Sequence, residues 1–258
     1  MSAFHVVIPA RFASVRLPGK PLATIAGRPM IQWAWERASE SGAASVIVAT
    51  DHEDVMAACN AFGAEAIMTS AHHASGTDRI AEVASRLGWD EEVVVVNVQG
   101  DEPLLPAVLI RQVAELLLLH PEADVGTLGT PIHELDEYLD PNVVKLVTAV
   151  DGSALYFSRA PIPWHRDGAA QGLVTQARHE GAMRHLGLYS YRVGALQRLA
   201  ANPPCRLELI ERLEQLRALW LGMRIQADAA LEVPPAGVDT AADLERINRL
   251  LASTRPER

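Results

Sequence analysis

Short β-branched runs alternate with amphipathic stretches through the first half of the chain, and this alternation constrains the fold more than any other feature. The apolar run 4–8 (FHVVI), bounded by Pro9, reads as a buried strand, and 30–38, with Pro29 near its first turn, as a helix. Residues 45–50 (SVIVAT) give a strand ending in Asp51, 53–62 a helix and 65–69 a short strand. Residues 77–87 read as a helix capped by Thr77, ahead of the strongest strand, 92–98 (EVVVVNV). A helix over 106–120 and a strand over 125–130 continue the pattern. The expected fold class is therefore α/β, a mostly parallel sheet with helices on both faces. Ligands of open sheets bind beyond the carboxyl ends of the strands.

From about Val143 the rhythm changes. Residues 143–150, 154–158 and 186–191 read as strands, with a loop-rich segment over 161–184. A long helix over 207–220, a strand over 224–231 and a helix over 241–251 follow. No linker rich in Pro, Gly or Ser interrupts the chain. A single domain over 1–258 is expected, with a core from about 1–140 and 224–258 and a smaller insertion over about 141–223.

Composition removes several function classes. With 23 Lys+Arg against 32 Asp+Glu the net charge is −9, which would repel a phosphate backbone and argues against a nucleic-acid partner. Cys59 and Cys205 cannot build a disulfide framework, and no Cys/His cluster has zinc spacing. No apolar stretch is long enough to span a bilayer, and the start lacks a signal-peptide pattern, so a cytoplasmic location is expected.

The loop after the first strand, PARFASVRLPGKP, is the most informative segment. Residues 1–35 contain Arg11, Arg16, Lys20 and Arg28 and no acid, although the chain as a whole is acidic. A basic loop there can neutralise polyphosphate charge, or it is a solvated surface loop. Gly19-Lys20 runs into Pro21, so the P-loop pattern fails, and the first turn lacks G-x-G-x-x-G. Gln99-Gly100-Asp101-Glu102-Pro103 follows the strongest strand. Asp101 there suits Mg²⁺, a hard cation held by one or two acids plus substrate phosphates, or else it caps a turn. Asp239 offers a second carboxylate, or caps the last helix, and spacing alone does not pair the two. The segment 72–79 (HHASGTDR) is a turn entering a helix, whose free amides can hold an anion or a base edge, or it is an ordinary cap. On 207–220, Leu209, Ile210, Leu213, Leu216 and Trp220 form an apolar stripe, with Glu208, Glu211 and Gln215 on another face and Glu208–Arg212 as an i,i+4 pair.

Taken together, IPARFASVRLPGKPL, VATDHEDV, SGTDR, VNVQGDEP, NVVKLV, ALYFSRAPIPW, RHLGLYSYR, LEQLRALWLG and GVDTAADLERI resemble the 3-deoxy-manno-octulosonate (Kdo) cytidylyltransferases over nearly the whole chain. The first loop is shared with other sugar nucleotidylyltransferases, whereas VNVQGDEP, YFSRAPIPW and RHLGLYSYR are more specific. The resemblance implies a nucleotide-diphospho-sugar transferase-like fold, with residues 141–223 as an acceptor and dimerisation part. It further implies Mg²⁺-dependent transfer of CMP from CTP to Kdo for lipopolysaccharide synthesis by a homodimer. Arg16, Lys20 and Asp101 would be catalytic, and Ala10, Arg11, Arg16, Lys20, Ser75, Gly76, Thr77 and Arg79 would hold the nucleotide. Gln99, Arg159, His185, Tyr189, Glu211 and Gln215 would line the sugar pocket, and Asp101 and Asp239 would bind Mg²⁺. The family shows a Pro-Ser pair before Leu207-Glu208, where this chain has Pro204-Cys205-Arg206.

Three other readings compete, the first an enzyme of the same fold acting on another nucleotide or another acidic sugar, against which the Kdo-side motifs favour Kdo. A nucleotide-binding module without catalysis would keep the basic loop and lose the metal ligands, yet Asp101 and Asp239 are both present. An oxidoreductase would need the glycine fingerprint that is missing.

Overall fold

Strand β1 (Phe4–Ala10) lies at the middle of a sheet because both its faces are apolar. Phe4, Val6, Ile8 and Ala10 pack into one layer and Val7 into the opposite one, the period of two expected of a strand. The structure is a computed structural model that describes residues 3–14, 16–168 and 171–253. Val15 of the first loop and residues 169 and 170 of the 161–184 segment lie outside the described residues.

After β1 come the short hairpin β2 (Thr24–Ile25) and β3 (Arg28–Pro29), then α1 (Met30–Ser39), β4 (Ser45–Thr50), α2 (Glu53–Phe62) and β5 (Glu65–Met68). Next are α3 (Gly76–Arg86), β6 (Val94–Asn97), α4 (Ala107–Leu119), β7 (Val125–Pro131) and α5 (Leu135–Leu139). The antiparallel pair β8 (Lys145–Thr148) and β9 (Ala154–Ser158) precedes β10 (Met183–Arg192), which runs straight into α6 (Val193–Ala200). Helices α7 (Arg206–Glu211) and α8 (Gln215–Trp220), strand β11 (Ile225–Ala229) and helix α9 (Ala241–Ser253) complete the described chain.

The main sheet has the order β11-β7-β10-β6-β1-β4-β5. Neighbours are parallel except around β10, which is antiparallel to both β6 and β7 and also carries β8 and β9. Helices α1, α2 and α4 cover one face, through Ala34, Cys59, Leu109 and Val113 among others. Helices α3, α6 and α8 cover the other, through Ile80, Val83, Leu196 and Leu216. The α/β class expected from the sequence is therefore the observed one. Among the described residues no helix is long and apolar enough to cross a membrane.

Two local expectations are corrected. The cap of α3 is Ser75, not Thr77: Ser75 Oγ accepts from Asp78 N at 3.2 Å while Asp78 Oδ2 accepts from Ser75 N at 3.1 Å. Thr77 is buried and donates to Glu214 Oε2 at 2.8 Å instead. The helix expected over 207–220 is two helices, broken at Arg212, whose φ is 54°. Contacts distant in sequence override the local helix preference. Arg217 reaches back with a bidentate pair to Glu208 at 2.7 and 2.8 Å, so the Glu208–Arg212 pair does not form. Glu211 turns to Ser158 Oγ at 2.7 Å and Arg159 N at 2.9 Å. The break also dissolves the apolar stripe: Leu213 and Leu216 are buried, but Leu209, Ile210 and Trp220 are exposed.

The junction before α7 shows what the Cys205 substitution does. Cys205 Sγ accepts from Glu208 N at 3.5 Å and Glu208 Oε2 accepts from Cys205 N at 3.3 Å, a reciprocal cap in which a thiol stands where a hydroxyl is the stronger acceptor. We expect Cys205→Ser to raise unfolding stability by about 0.5 kcal/mol, measured by urea titration. A loss of stability would contradict the capping role.

Candidate functional site

The site lies beyond the carboxyl ends of β1 and β6, where an open cleft of about 260 Å³ is lined by residues that include Ala10, Arg11, Lys20, Ser75, Gln99 and Asp101. Its floor is Pro9. A side chain at Gly76 would come within 3.2 Å of the Pro9 ring, and one at Gly100 within 3.2 Å of Pro9 O, so both close approaches depend on glycine. The basic loop is pinned by Phe12, whose N–H donates to Asp51 Oδ1 at 3.0 Å and whose ring stacks on His52. Asp51 also accepts from the buried Arg79 at 2.9 Å, tying the loop to α3.

Lys20 is the centre of the charge arrangement. Its Nζ donates to Asp101 Oδ2 at 2.6 Å and to Asp239 Oδ1 at 2.9 Å. Arg16 adds a contact to Asp239 Oδ1 at 3.0 Å. Burial works against the Lys20 ammonium, but the two carboxylates outweigh it and hold its pKa above the usual value. Asp101 is brought to Asp239 by the backbone, since Val238 N donates to Asp101 O at 2.9 Å and a side chain at Gly237 would meet that oxygen at 3.0 Å. The last helix is capped by Thr240 and Asp243, which exchange hydrogen bonds at 3.2 and 3.0 Å, so Asp239 is not its cap. Two half-exposed carboxylates thus converge on one point and are held there by a single ammonium.

That pair fits Mg²⁺, which takes hard oxygen donors from one or two acids and completes its shell with phosphate and water. Among the described residues no group of three or more His, Cys, Asp or Glu could hold a metal ion. The two-acid set is accordingly the one to weigh.

The nucleotide-side residues are gathered at the cleft in different ways. Ala10, Arg11, Lys20, Ser75 and Gly76 line it directly. Arg16 is two-thirds exposed and reaches the site through its contact with Asp239. Arg79 lines the cleft but commits its guanidinium to Asp51 and Thr69. Thr77 faces Glu214.

The sugar-side residues divide three ways. Gln99 lines the first cleft and donates to Asn97 Oδ1 at 3.3 Å. His185, Tyr189 and Gln215 meet in a second cleft of about 420 Å³, which also includes Arg184 and Asn142. Asn97 pairs with Tyr189 across β6 and β10, so it links Gln99 of the first cleft to Tyr189 of the second. Arg159 and Glu211 line neither: the Arg159 guanidinium donates to Glu211 O at 2.7 Å and Pro141 O at 3.0 Å.

Burial pushes the His185 imidazole down to about 3, leaving it a neutral partner for Thr127 Oγ1 at 3.0 Å. A histidine so depressed lends stability above its unfolded value of 6.5, and that stability is lost as pH falls toward 3. Relative to wild type, we expect His185→Gln to gain about 2 kcal/mol of stability between pH 7 and pH 5, read from urea midpoints at both pH values. A constant difference would contradict the neutral assignment.

Sequence reasoning passed over two groups. Burial and the neighbouring Asp101 charge push the Glu102 carboxyl up to about 7, against the opposing pull of Arg184. Arg184 opens on the second cleft and meets only Glu137 at 3.3 Å among the described carboxylates. The signal for each was adjacency to a chosen residue, Asp101 and His185 respectively.

The cytidylyltransferase family profile matches residues 5–225, which span the cleft and its Lys20–Asp101 contact. A curated 3-deoxy-manno-octulosonate cytidylyltransferase of Pseudomonas fluorescens is 56% identical over 97% of this chain and 98% of that protein. One of the same description from Thioalkalivibrio sulfidiphilus is 54% identical over 96% and 99%. A solved structure of CMP:2-keto-3-deoxy-manno-octonic acid synthetase complexed with CTP superposes with a TM-score of 0.88 at 40% identity, covering 98% of this chain and 100% of the other. Fold, cleft and family together define a nucleotidyltransferase. The chain belongs to the cytidylyltransferase family, among the 3-deoxy-manno-octulosonate cytidylyltransferases.

Proposed function

We propose that the protein transfers CMP from CTP to the anomeric hydroxyl of Kdo, releases pyrophosphate, and so activates Kdo for lipopolysaccharide synthesis in the cytoplasm. The observation that carries this reading is the convergence of Asp101 and Asp239 on Lys20 beside the basic loop, in a chain so close to named relatives. Asp101 and Asp239 would hold Mg²⁺, which when bound supplies Lewis-acid polarisation of the phosphoryl oxygens.

The chain's own groups do the rest. Arg11, Arg16 and Lys20 bind the CTP phosphates and stabilise the charge that moves onto pyrophosphate as the α-phosphorus is attacked. Lys20 is already charged and oriented by its two carboxylates, so it needs little rearrangement. The turn at Ser75-Gly76, with Ala10 opposite, receives the nucleoside. Gln99, His185, Tyr189 and Gln215 orient the sugar hydroxyl for in-line attack, and Arg184, which lines the second cleft with His185 and pairs with Glu137, is the cation for the sugar carboxylate. Arg159 and Glu211 brace the segment that carries Gln215. No covalent nucleophile is required. Residues 141–223 form the acceptor part and contribute to a homodimer, which light scattering tests directly.

The acceptor is tested by comparing kcat/KM for Kdo, its 8-amino analogue and sialic acid, with CTP and Mg²⁺ fixed. The reading expects Kdo to lead. A clear preference for either of the others would reassign the acceptor and keep the cytidylyl chemistry.

A further inference from the structure

His73 lines the first cleft, and its ring is fixed from behind. Its Nε2 is in short contact with Glu82 Oε2. Glu82 is itself held, accepting from Ser70 N at 2.9 Å and pairing with Arg86. Burial pushes the Glu82 carboxyl upward, but the Ser70 N–H, His73 and Arg86 outweigh it and keep it below the usual range. Glu82 is then an ionised acceptor with no proton to give, so the hydrogen in the contact belongs to Nε2. In the neutral ring the lone pair sits on Nδ1, which makes no hydrogen bond among the described residues. The side chain retains 21% exposure.

Charge divides the cleft. The cations that open on it, Arg11 and the Lys20 ammonium held by Asp101 and Asp239, come from the loop after β1, whereas the turn from His73 to Gly76 contributes none and the buried Arg79 guanidinium is spent on Asp51 and Thr69. Phosphates go with the cations, which leaves the turn for the base.

We infer that His73 is a specificity-determining residue, whose Nδ1 accepts a hydrogen bond from the exocyclic amine of cytosine and so admits CTP in preference to UTP. Cytosine presents an N4 amine donor where uracil presents an O4 acceptor. Against uracil two acceptors would face each other, and sites built around one hydrogen bond discriminate strongly against a ligand that cannot make it. Glu82 is the positioning residue that sets the tautomer. The inference rests on the reading of this cleft as a CTP site.

The test is calorimetric titration of CTP and of UTP, with Mg²⁺ and no acceptor, into the full-length wild-type protein, His73→Phe and Glu82→Gln. Wild type is expected to bind CTP at least about tenfold more tightly than UTP. His73→Phe should bring that ratio to about twofold or less, chiefly by weakening CTP. Glu82→Gln can donate to Nε2, favour the tautomer protonated at Nδ1, and move the ratio toward UTP. Equal weakening of both nucleotides in His73→Phe, or an unchanged ratio in both variants, would overturn the inference and leave the CTP reading standing. A wild-type protein without preference for CTP would overturn both.

Discussion

Asp101→Asn is expected to lower kcat for CTP and Kdo by about a thousandfold or more while the protein stays folded. Asparagine keeps the size and one oxygen of aspartate but removes the charge that makes it a ligand for a hard cation. It also removes one of the two carboxylates on the Lys20 ammonium, 2.6 Å away, so the cation is no longer held between the strand end and the last loop. Stability should change by less than about 1 kcal/mol, because the contact is partly solvated. Initial rates at several Mg²⁺ concentrations, with a urea melt on the same sample, separate the two effects. Near-normal Mg²⁺-dependent turnover would remove Asp101 from the metal site.

The second large effect is expected at Lys20. Lys20→Met keeps the aliphatic stem and removes the ammonium, and should lower kcat/KM for CTP about a hundredfold or more with the KM for Kdo within about twofold of wild type. The asymmetry follows from place: Lys20 lines the cleft with Arg11 and Ser75 and does not line the one that holds His185 and Tyr189. The substitution also removes the ammonium between Asp101 and Asp239 and leaves Arg16 on Asp239, so the variant should need a different Mg²⁺ concentration for half-maximal rate. Equal losses toward both substrates would contradict a phosphate role.

The alternating core was readable because buried strands and amphipathic helices leave different periods in the sequence, and the strands expected over 4–8, 45–50 and 92–98 are found as Phe4–Ala10, Ser45–Thr50 and Val94–Asn97. Helix α6 was missed because it follows β10 with no turn residue between Arg192 and Val193. The break at Arg212 was not readable either, since it comes from Arg217, Ser158 and Arg159 drawing on Glu208 and Glu211. Ser75 could have been recognised as the cap of α3, because Asp78 stands three residues beyond it in the capping-box pattern. The loop residues of the site stood out as a basic cluster in an acidic chain. What no spacing revealed was the meeting of Asp101 and Asp239, which depends on the backbone contact between Val238 and Asp101. The division of the sugar-side residues, with Arg159 and Glu211 bound to each other, has the same origin in contacts made only on folding.

Cytidylyl transfer to Kdo is tested most directly by pyrophosphate release with Mg²⁺ across CTP, UTP, ATP and GTP, each with and without Kdo. Release is expected with CTP plus Kdo alone, and is lost when Mg²⁺ is chelated. Release from another nucleotide in preference to CTP, or release from CTP that does not depend on Kdo or Mg²⁺, would contradict it.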